Sequence, residues 1–224
     1  MATVVKPSGG LVARRKERTR RELAEAATRL FVERGYEATT VEEIAAAVDV
    51  SARTFFRYFP TKGDIVGSLA RITLDDLAGA LRDRPTGEPL ADALVAAVGT
   101  VMAGADPGEI RAFERLLADN PGLRAAWSQA CHHDQAALAA ALAARLGTGP
   151  ADLHARLAAS AVTSAVDTAL ETWAAGPAGR PPLAAVRQAV DLLTAPLLPP
   201  APGRGGRRRP VPPGTGGVRA RDPG

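Results

Sequence analysis

Residues 51–60, SARTFFRYFP, combine cationic and aromatic side chains in a pattern that suits binding to a polyanion. Arginine binds phosphates and guanine edges, an aromatic ring can lie against a thymine methyl group, and a tyrosine hydroxyl can reach a phosphate. The chemistry that this stretch suggests is therefore recognition of duplex DNA. Four of the nine aromatic residues of the chain and two arginines fall here: Arg53, Phe55, Phe56, Arg57, Tyr58 and Phe59.

Helical geometry divides these aromatic residues between two environments. Phe55 and Phe59 are four positions apart and share one helix face, so we expect both to pack in a small core. Phe56 and Tyr58 cannot both lie on that face, because neighbouring helix positions point in different directions. We expect them to face solvent or a ligand, since an exposed phenylalanine is costly unless something covers it. The alternative is that all four rings build the core.

The run CHHD, residues 131–134, is a second stretch whose residue types could carry chemistry, in this case metal binding. Consecutive helix positions diverge by about 100°, so only pairs such as Cys131 with Asp134 face one site, too few for structural zinc. No nucleophile, base and orienting group occur at a mechanistic spacing, and no glycine-rich phosphate loop follows a strand. We expect no metal site, no cofactor and no enzymatic activity.

The elements that must position the aromatic stretch are short helices. An apolar stripe predicts a first helix over residues 19–34, which Gly35 should end without a Cβ penalty. Thr40 and Glu43 have capping-box spacing and predict a second helix of barely two turns. The residues of the stripe are Leu23, Ala27, Leu30 and Phe31.

Ser51 is a suitable N-cap for a third helix, which should end near Tyr58. Two short helices joined by a tight connection are unstable alone, so they must pack against the first helix. This is a helix-turn-helix pattern. Thr61 is expected to cap a fourth helix, and Lys62 in its first turn would place a cation beside free backbone amides, as in a phosphate clamp.

The stretch TTVEEIAAAVDVSARTFFRYFPTKGDIV, preceded by LFVERGYEATT, resembles the N-terminal domain of the TetR family of transcriptional regulators over residues 15–74. The resemblance implies an all-helical homodimer that binds a palindromic operator and releases it when a small molecule enters the C-terminal domain. Arg53 departs from the family pattern, where a small residue is common, and so does Gly63, where an acid is common. The DNA contacts implied by position are Thr40, Ser51, Arg53, Phe56, Arg57, Tyr58 and Lys62.

Charge and composition predict four segments. Residues 1–74 contain 13 Lys/Arg and 9 Asp/Glu, residues 75–198 contain 9 and 14, and residues 199–224 contain 6 and 1. Polyanion binding is therefore expected at the ends of the chain. We expect a flexible basic arm (1–14), a helix-turn-helix domain (15–74), a helical effector-binding and dimerisation domain (75–198) and a disordered tail (199–224), which holds 7 Pro and 7 Gly.

The C-terminal domain is predicted to consist of long helices. The one over residues 123–146 would be about 36 Å long. Residues 157–166 carry no charge, so their helix should be buried on all sides and should form a four-helix dimer bundle with the last helix. The alternative is a core helix inside a monomer. The predicted helices are 61–82, 89–103, 108–118, 123–146, 151–175 and 183–195, the homodimer forming through the last two.

The sequences NPGLRAAWSQACHHDQAALAAALAARLG and ADLHARLAASAVTSAVDTALETW, with FFRYFP, resemble the acyl-CoA-like ligand-binding branch of the family, which includes the mycofactocin-system regulator. This resemblance implies a long acyl chain in a tunnel through the C-terminal domain. Each candidate lining residue is also compatible with ordinary core or surface. The candidate lining residues are Phe113, Leu117, Trp127 and Cys131, and Arg111, Arg115 or Arg124 would lie near a CoA phosphate.

The whole-chain features limit the class of protein. One cysteine excludes an internal disulfide framework, no apolar run reaches the roughly 18 to 20 residues that span a bilayer, and MATVVKPSGG lacks the apolar core of a secretory signal. We therefore expect a soluble cytoplasmic protein without membrane contact. The predicted function is a ligand-responsive homodimeric repressor. The alternative is a helical ligand-binding or scaffold protein with a vestigial DNA-binding head.

Overall fold

The computed structural model describes residues 9–194, and the regular elements within that range are all α-helices, which confirms the predicted all-α fold for this part of the chain. The tail predicted over residues 199–224 lies outside the described residues. The helices are α1 (Gly9–Arg34), α2 (Val41–Ala46), α3 (Ala52–Tyr58), α4 (Asp64–Arg82), α5 (Leu90–Met102), α6 (Pro107–Asp119), α7 (Pro121–His133), α8 (Ala136–Leu146), α9 (Leu153–Ala175) and α10 (Pro182–Thr194).

Helix α1 begins ten residues earlier than predicted, so residues 9–14 are helical and the flexible arm predicted there is wrong. From residue 11 onward the segment lacks glycine and proline and is rich in good helix formers, which favours continuation of the helix. Ion pairs also hold it. Arg18 contacts Glu22 one turn later at 2.8 Å, and Glu17 contacts Arg71 of α4 at 3.0 Å.

The single helix predicted over residues 123–146 is wrong, because the chain breaks between α7 and α8 at Asp134 and Gln135. In a continuous helix the carbonyl of Cys131 would accept the amide of residue 135. Here it accepts the side-chain amide of Gln135 instead, at 2.8 Å, and Ser160 of α9 donates to the Gln135 Oε1 at 2.8 Å. The side chain of Gln135 therefore stabilises the break.

The first of two apolar cores, the head core, joins the helix-turn-helix to the C-terminal helices. It is built around three fully buried rings, which are Phe31 of α1, Phe55 of α3 and Phe59, the residue directly after α3. Helices α6 and α7 contribute Leu117 and Leu123 to the same core. The orientation of the helix-turn-helix is therefore fixed by packing against α6 and α7 as well as α4.

The second core is formed by the C-terminal half of α4 together with α5, α8, α9 and α10. Helix α4 reaches both cores: Ile65 and Ile72 pack in the head core, and Leu77 and Leu81 in the second. Its 19 residues make it about 28 Å long. Helix α4 is thus the continuous rigid element between the two ends of the molecule.

Helix α9 is not buried on all sides within one chain, so that prediction is wrong for the isolated molecule. Ala159 and Val162 are buried in the second core, whereas Leu153 and Leu157 are 77% and 60% exposed. The exposed face continues along the helix through Ser164, Thr168 and Thr172. The remaining predicted helices agree with the observed ones to within one turn at each end, as far as residue 194.

Taken singly, none of the helices between residues 9 and 194 is long and apolar enough to cross a membrane. Helices α5 and α6 reach the required length and composition only when taken together, and they are bent by 91° at the break between them.

Candidate nucleic-acid interface

The first helix of the helix-turn-helix, α2, is fixed at its start by the predicted capping box. The Thr40 hydroxyl accepts the amide of Glu43 at 3.2 Å, and the Glu43 carboxylate accepts the amide of Thr40 at 2.8 Å. Arg34 at the end of α1 donates to the other carboxylate oxygen of Glu43 at 2.9 Å. The hydrogen bonds from Thr40 are the main cause of a lowered pKa of Glu43, and Arg34 lowers that pKa further.

The connection from α2 to α3 is a tight turn. Asp49 adopts a left-handed conformation with φ of 55°, which aspartate tolerates better than most residues, and the amide of Val50 donates to the Ala45 carbonyl at 3.0 Å. Ser51 is the predicted N-cap of α3, and its hydroxyl accepts the amide of Thr54 at 3.1 Å. Local hydrogen bonds thus set the angle between the two helices.

Helix α3 and the residue after it separate Phe55 and Phe59 from Phe56 as predicted, but Tyr58 does not take the predicted outward position. Phe55 and Phe59 are buried, with ring centroids 5.4 Å apart, whereas Phe56 is 53% exposed. The Phe56 ring meets Phe55 edge to face at 5.4 Å, which supports its outward position. Tyr58 is half-buried against the head core.

The exposed face of α3 presents three side chains at helical spacing. Arg53, Phe56 and Arg57 lie at positions i, i+3 and i+4, and all three are exposed. The guanidinium of Arg57 lies 5.4 Å from the centre of the Tyr58 ring. Two cations flank one exposed ring on a helix that is capped at its start and buried on its other side. Such a face has the dimensions and chemistry to enter a DNA major groove.

The predicted Thr61 cap is wrong, because α4 begins at Asp64, three residues later than predicted, and its N-cap is Gly63, which makes no side-chain hydrogen bond. The Thr61 hydroxyl accepts the amide of Asp64 at 3.3 Å, and the Asp64 carboxylate accepts the Thr61 amide at 2.7 Å. Lys62, between them, does not point freely into solvent. Its ammonium donates to the carbonyls of Tyr36 at 2.6 Å and Thr39 at 3.0 Å.

Sequence patterns did not identify Tyr36 and Thr39 as part of this site. Thr39 is 1% exposed, and its hydroxyl donates to the carbonyls of Leu30 at 3.2 Å and Gly35 at 2.9 Å at the end of α1. Gly35 itself has φ of +90°, the conformation expected of a glycine that ends a helix. The sequence signal that could have identified this turn is Gly35 followed by an aromatic residue and two threonines.

Comparison with family models identifies both halves of the chain. Residues 23–69 match the model of bacterial regulatory proteins of the tetR family, and residues 84–198, half of the chain, match the model of the MftR C-terminal domain. The chain belongs to the TetR family. The resemblance stated for residues 15–74 is thereby confirmed, and so is the relation of the C-terminal domain to the mycofactocin regulator.

This TetR-family regulator is 39% identical to the HTH-type transcriptional regulator TcmR of Streptomyces glaucescens over 63% of this chain and 66% of that protein. It is 33% identical to the mycofactocin biosynthesis regulator MftR of Mycobacterium tuberculosis over 41% of this chain and 46% of that protein. The alignments thus span just under two thirds and just under half of the lengths of these curated relatives.

Two solved structures show the same fold. One is FadR of Thermus thermophilus, a TetR-family transcriptional repressor in complex with lauroyl-CoA, with 24% identity, a TM-score of 0.52, and coverage of 87% of this chain and 100% of that one. The other is FadR of Bacillus subtilis in complex with stearoyl-CoA, with 21% identity, a TM-score of 0.51, and coverage of 77% and 96%. At these identities the likeness shows the fold alone.

In the C-terminal domain of this TetR-family regulator, the five candidate effector residues do not surround one space. Leu117 is fully buried in the head core, and the Phe113 and Trp127 rings contact edge to face at 5.2 Å. Arg111 donates to the carbonyls of Ala174 at 2.7 Å and Gly176 at 2.8 Å at the end of α9. The role of the five candidate residues in effector binding stays a prediction.

Cys131, the fifth candidate, is a buried thiol on α7. Burial, together with the nearby carboxylates, raises its pKa to about 12. The thiol is therefore protonated near neutral pH and is a packing group rather than a nucleophile. No cluster of three or more His, Cys, Asp or Glu side chains within residues 9–194 is arranged to hold a metal ion.

A polar network in this domain was not predicted from the sequence. Arg124 of α7 donates to Glu114 of α6 at 3.0 Å and lies 3.4 Å from Asp167 of α9. Glu114 is only 4% exposed, and burial raises its pKa to about 7, although the charge of Arg124 acts in the opposite direction. The network joins three helices by part-buried, charged hydrogen bonds.

An open groove of about 700 Å³ lies between α9 and α10. Small and apolar side chains dominate its walls, and Arg180 and Gln188 lie among them. Neither this groove nor the smaller cavity of about 450 Å³ beside Tyr36 and Asn120 is lined by the five candidate effector residues.

Proposed function

We propose that this TetR-family regulator is a homodimeric repressor that binds a palindromic operator and leaves it when a small hydrophobic effector binds the C-terminal domain. The observation that carries the proposal is the outward face of α3, where Arg53, Phe56 and Arg57 are exposed together. Lys62, the seventh residue of the predicted set, contacts main-chain carbonyls. The other proposed DNA contacts are Thr40, Ser51, Arg53, Phe56, Arg57 and Tyr58.

The groove between α9 and α10 supports the homodimer. Its α9 wall includes Ala161, Ala165 and Ala169, whose small side chains permit close approach of a neighbouring helix. Exposed Leu153 and Leu157 extend the same face towards the start of α9. Pairing of two copies through α9 and α10 would bury this face and give a four-helix bundle. Reading two half-sites requires the two α3 helices of such a dimer to lie about 34 Å apart.

The proposed effector is an acyl-CoA. Two structures of the same fold support this class, since those FadR proteins were solved with lauroyl-CoA and stearoyl-CoA. The MftR-type C-terminal domain is consistent with the branch that the sequence resembles. The residues proposed to contact the acyl-CoA are those expected from the sequence, although none of them lines the groove or the smaller cavity: Arg111, Phe113, Leu117, Trp127 and Cys131.

Fluorescence anisotropy tests this function. The purified protein is titrated onto labelled DNA from upstream of its own gene, at fixed salt, with random DNA of equal length as the control. Each titration is repeated with a long-chain acyl-CoA and with free CoA. We expect specific binding that the acyl-CoA reverses and free CoA does not.

Each other result has a defined meaning. Specific binding that ignores the acyl-CoA would retain the DNA-binding function and reject this effector. Equal affinity for operator-region and random DNA would favour the alternative, a helical ligand-binding or scaffold protein with a vestigial head. A second DNA library, taken from the regions flanking neighbouring genes, separates that alternative from a distant operator.

A further inference from the structure

Arg53 is the second residue of α3, directly after the capped start of the helix. The Ser51 hydroxyl accepts the Thr54 amide at 3.1 Å, and the hydroxyls of Ser51 and Thr54 lie 3.0 Å apart, so these two side chains satisfy one another. Ser51 and Ala52 are small and leave the start of the helix free to approach the floor of a groove. The N-terminal residues of a recognition helix are those that contact base edges.

The guanidinium of Arg53 is exposed and makes no hydrogen bond, ion pair or ring contact with any residue between 9 and 194. Arg57, one turn later, differs because its guanidinium lies 5.4 Å from the centre of the Tyr58 ring. A guanidinium carries five N–H donors in a planar fork. The whole fork of Arg53 is therefore available to a ligand.

One base edge in the major groove matches this fork. Guanine presents two neighbouring acceptors there, N7 and O6, and an arginine that donates to both is the commonest specific contact between protein and DNA. Adenine places an amino donor beside N7, and cytosine presents a donor, so neither accepts both arms of the fork. An arginine that reads a base from this position thus selects guanine.

We infer that Arg53 is a specificity-determining residue that reads a guanine in each operator half-site, whereas Arg57 contacts the DNA backbone. This inference rests on the proposed DNA-binding function and deepens it, because it assigns a base to one of the proposed contacts. Arg53 stands where the family pattern commonly has a small residue. The guanine contact is therefore a property of this chain and does not follow from the resemblance to the family.

The position of Phe56 limits where the guanine lies. Phe56 follows Arg53 by three residues on the same face of α3, which is about 4.5 Å along the helix axis. Successive base pairs are about 3.4 Å apart. The Phe56 ring is exposed and can contact a thymine methyl group in the same groove. The half-site should therefore contain the guanine and a thymine about one or two base pairs apart.

Selection from a library of random duplex DNA defines the half-site. Wild type, Arg53→Met, Arg57→Met and Arg82→Met are each used, and the bound DNA is sequenced. Arg82 is exposed at the far end of α4, so Arg82→Met removes an equal charge outside the DNA-binding surface. Wild type, Arg57→Met and Arg82→Met should select one motif. Arg53→Met should lose the preference for guanine at one position of each half-site and keep the preferences at the other positions.

An exchange of specificity tests base readout directly. Glutamine pairs with N6 and N7 of adenine, so Arg53→Gln should select adenine at the position where wild type selects guanine. The guanine is also replaced by 7-deazaguanine, which lacks the N7 acceptor. This replacement should weaken wild-type binding by about tenfold and should leave the already weaker binding of Arg53→Met unchanged.

Salt dependence separates a base contact from a phosphate contact. Arg57→Met should lose affinity equally for operator and random DNA, and its slope of log K against log salt should be smaller by about 0.9. Arg53→Met should bind the operator about tenfold to a hundredfold more weakly, lose less on random DNA and keep the wild-type slope.

Three results would overturn the inference and leave the proposed function intact. They are a wild-type motif without guanine, a preference for guanine that persists in Arg53→Met, and equal losses of Arg53→Met on both DNAs with the smaller slope of a lost phosphate contact. A wild type that selects no motif from the library would instead reject the proposed function itself, and the inference with it.

Discussion

The indole Nε1 of Trp127 donates a hydrogen bond of 2.9 Å to the Asp167 carboxylate. Trp127 packs against the head core from α7, whereas α9, which carries Asp167, is buried in the second core. The same carboxylate oxygen lies 3.4 Å from the Arg124 guanidinium. The two cores are therefore joined by hydrogen bonds of defined direction in addition to the continuous helix α4.

Removal of Arg124 should destabilise the fold. Arg124→Met leaves Glu114 and Asp167 without their shared cation in a mostly buried site, and we expect a loss of about 3 kcal/mol at about pH 8. The loss should be smaller at lower pH, because Glu114 can take up a proton. Urea denaturation followed by circular dichroism measures the effect, with Arg82→Met as the control. A loss below about 0.5 kcal/mol would contradict the role of Arg124.

Glu114 should make stability depend on pH near neutrality. Burial raises the pKa of the folded carboxyl from 4.5 to about 7, so the folded state binds an extra proton between these values. The stability that this proton binding contributes to the folded state is fully present below about pH 4.5 and is lost as pH rises through about 7. The folded state at high pH should thus be less stable by up to about 3 kcal/mol.

Glu114→Gln isolates this contribution. The unfolding free energies of wild type and Glu114→Gln are measured at intervals from about pH 5 to about pH 8. Wild type should become less stable relative to Glu114→Gln as pH rises. The amide keeps the shape of the side chain but cannot ionise. A difference that is constant across this range would show that Glu114 titrates near its ordinary pKa.

Phe56 should contribute to DNA binding and little to stability. Because its side chain is 53% exposed, Phe56→Ala should change the free energy of unfolding by less than about 0.5 kcal/mol. Loss of its contact with a base or sugar should weaken operator binding by about 1 to 3 kcal/mol. Phe55→Ala, which removes a fully buried ring, should instead cost about 3 to 5 kcal/mol of stability. Equal operator affinity for wild type and Phe56→Ala would remove Phe56 from the interface.

Features decided by neighbouring residues were predictable from the sequence. The Thr40 capping box, the Ser51 N-cap and the opposite directions of Phe55 and Phe56 depend on residues within four positions of one another. Each is a local hydrogen bond or a consequence of helical period, and each is present in the structure.

Features decided by tertiary packing were not predictable. Lys62 finds its carbonyl partners 23 and 26 positions away, and Arg124 finds Asp167 at a separation of 43. No periodicity encodes such pairings. The break between α7 and α8 was also not predictable. The alanine-rich sequence favours a continuous helix, whereas the tertiary contact of Gln135 with Ser160 stabilises the break.

Disruption of the groove between α9 and α10 should separate the proposed dimer. Thr168 is exposed and lines the groove, so Thr168→Arg would place two unpaired charges in a two-fold interface. We expect the dissociation constant of the dimer to rise by at least about a hundredfold, with a matching loss of operator affinity and unchanged helix content. Sedimentation at micromolar concentration measures this.

Thr100→Arg is the matched control, because Thr100 is exposed on α5 and does not line the groove. It should remain dimeric and should bind the operator as wild type does. A wild-type monomer at micromolar concentration would reject the homodimer and with it the paired reading of two half-sites. A dimer that survives Thr168→Arg would place the contact between copies on another surface, since a charge tolerated at the centre of this groove cannot be in a close-packed four-helix interface.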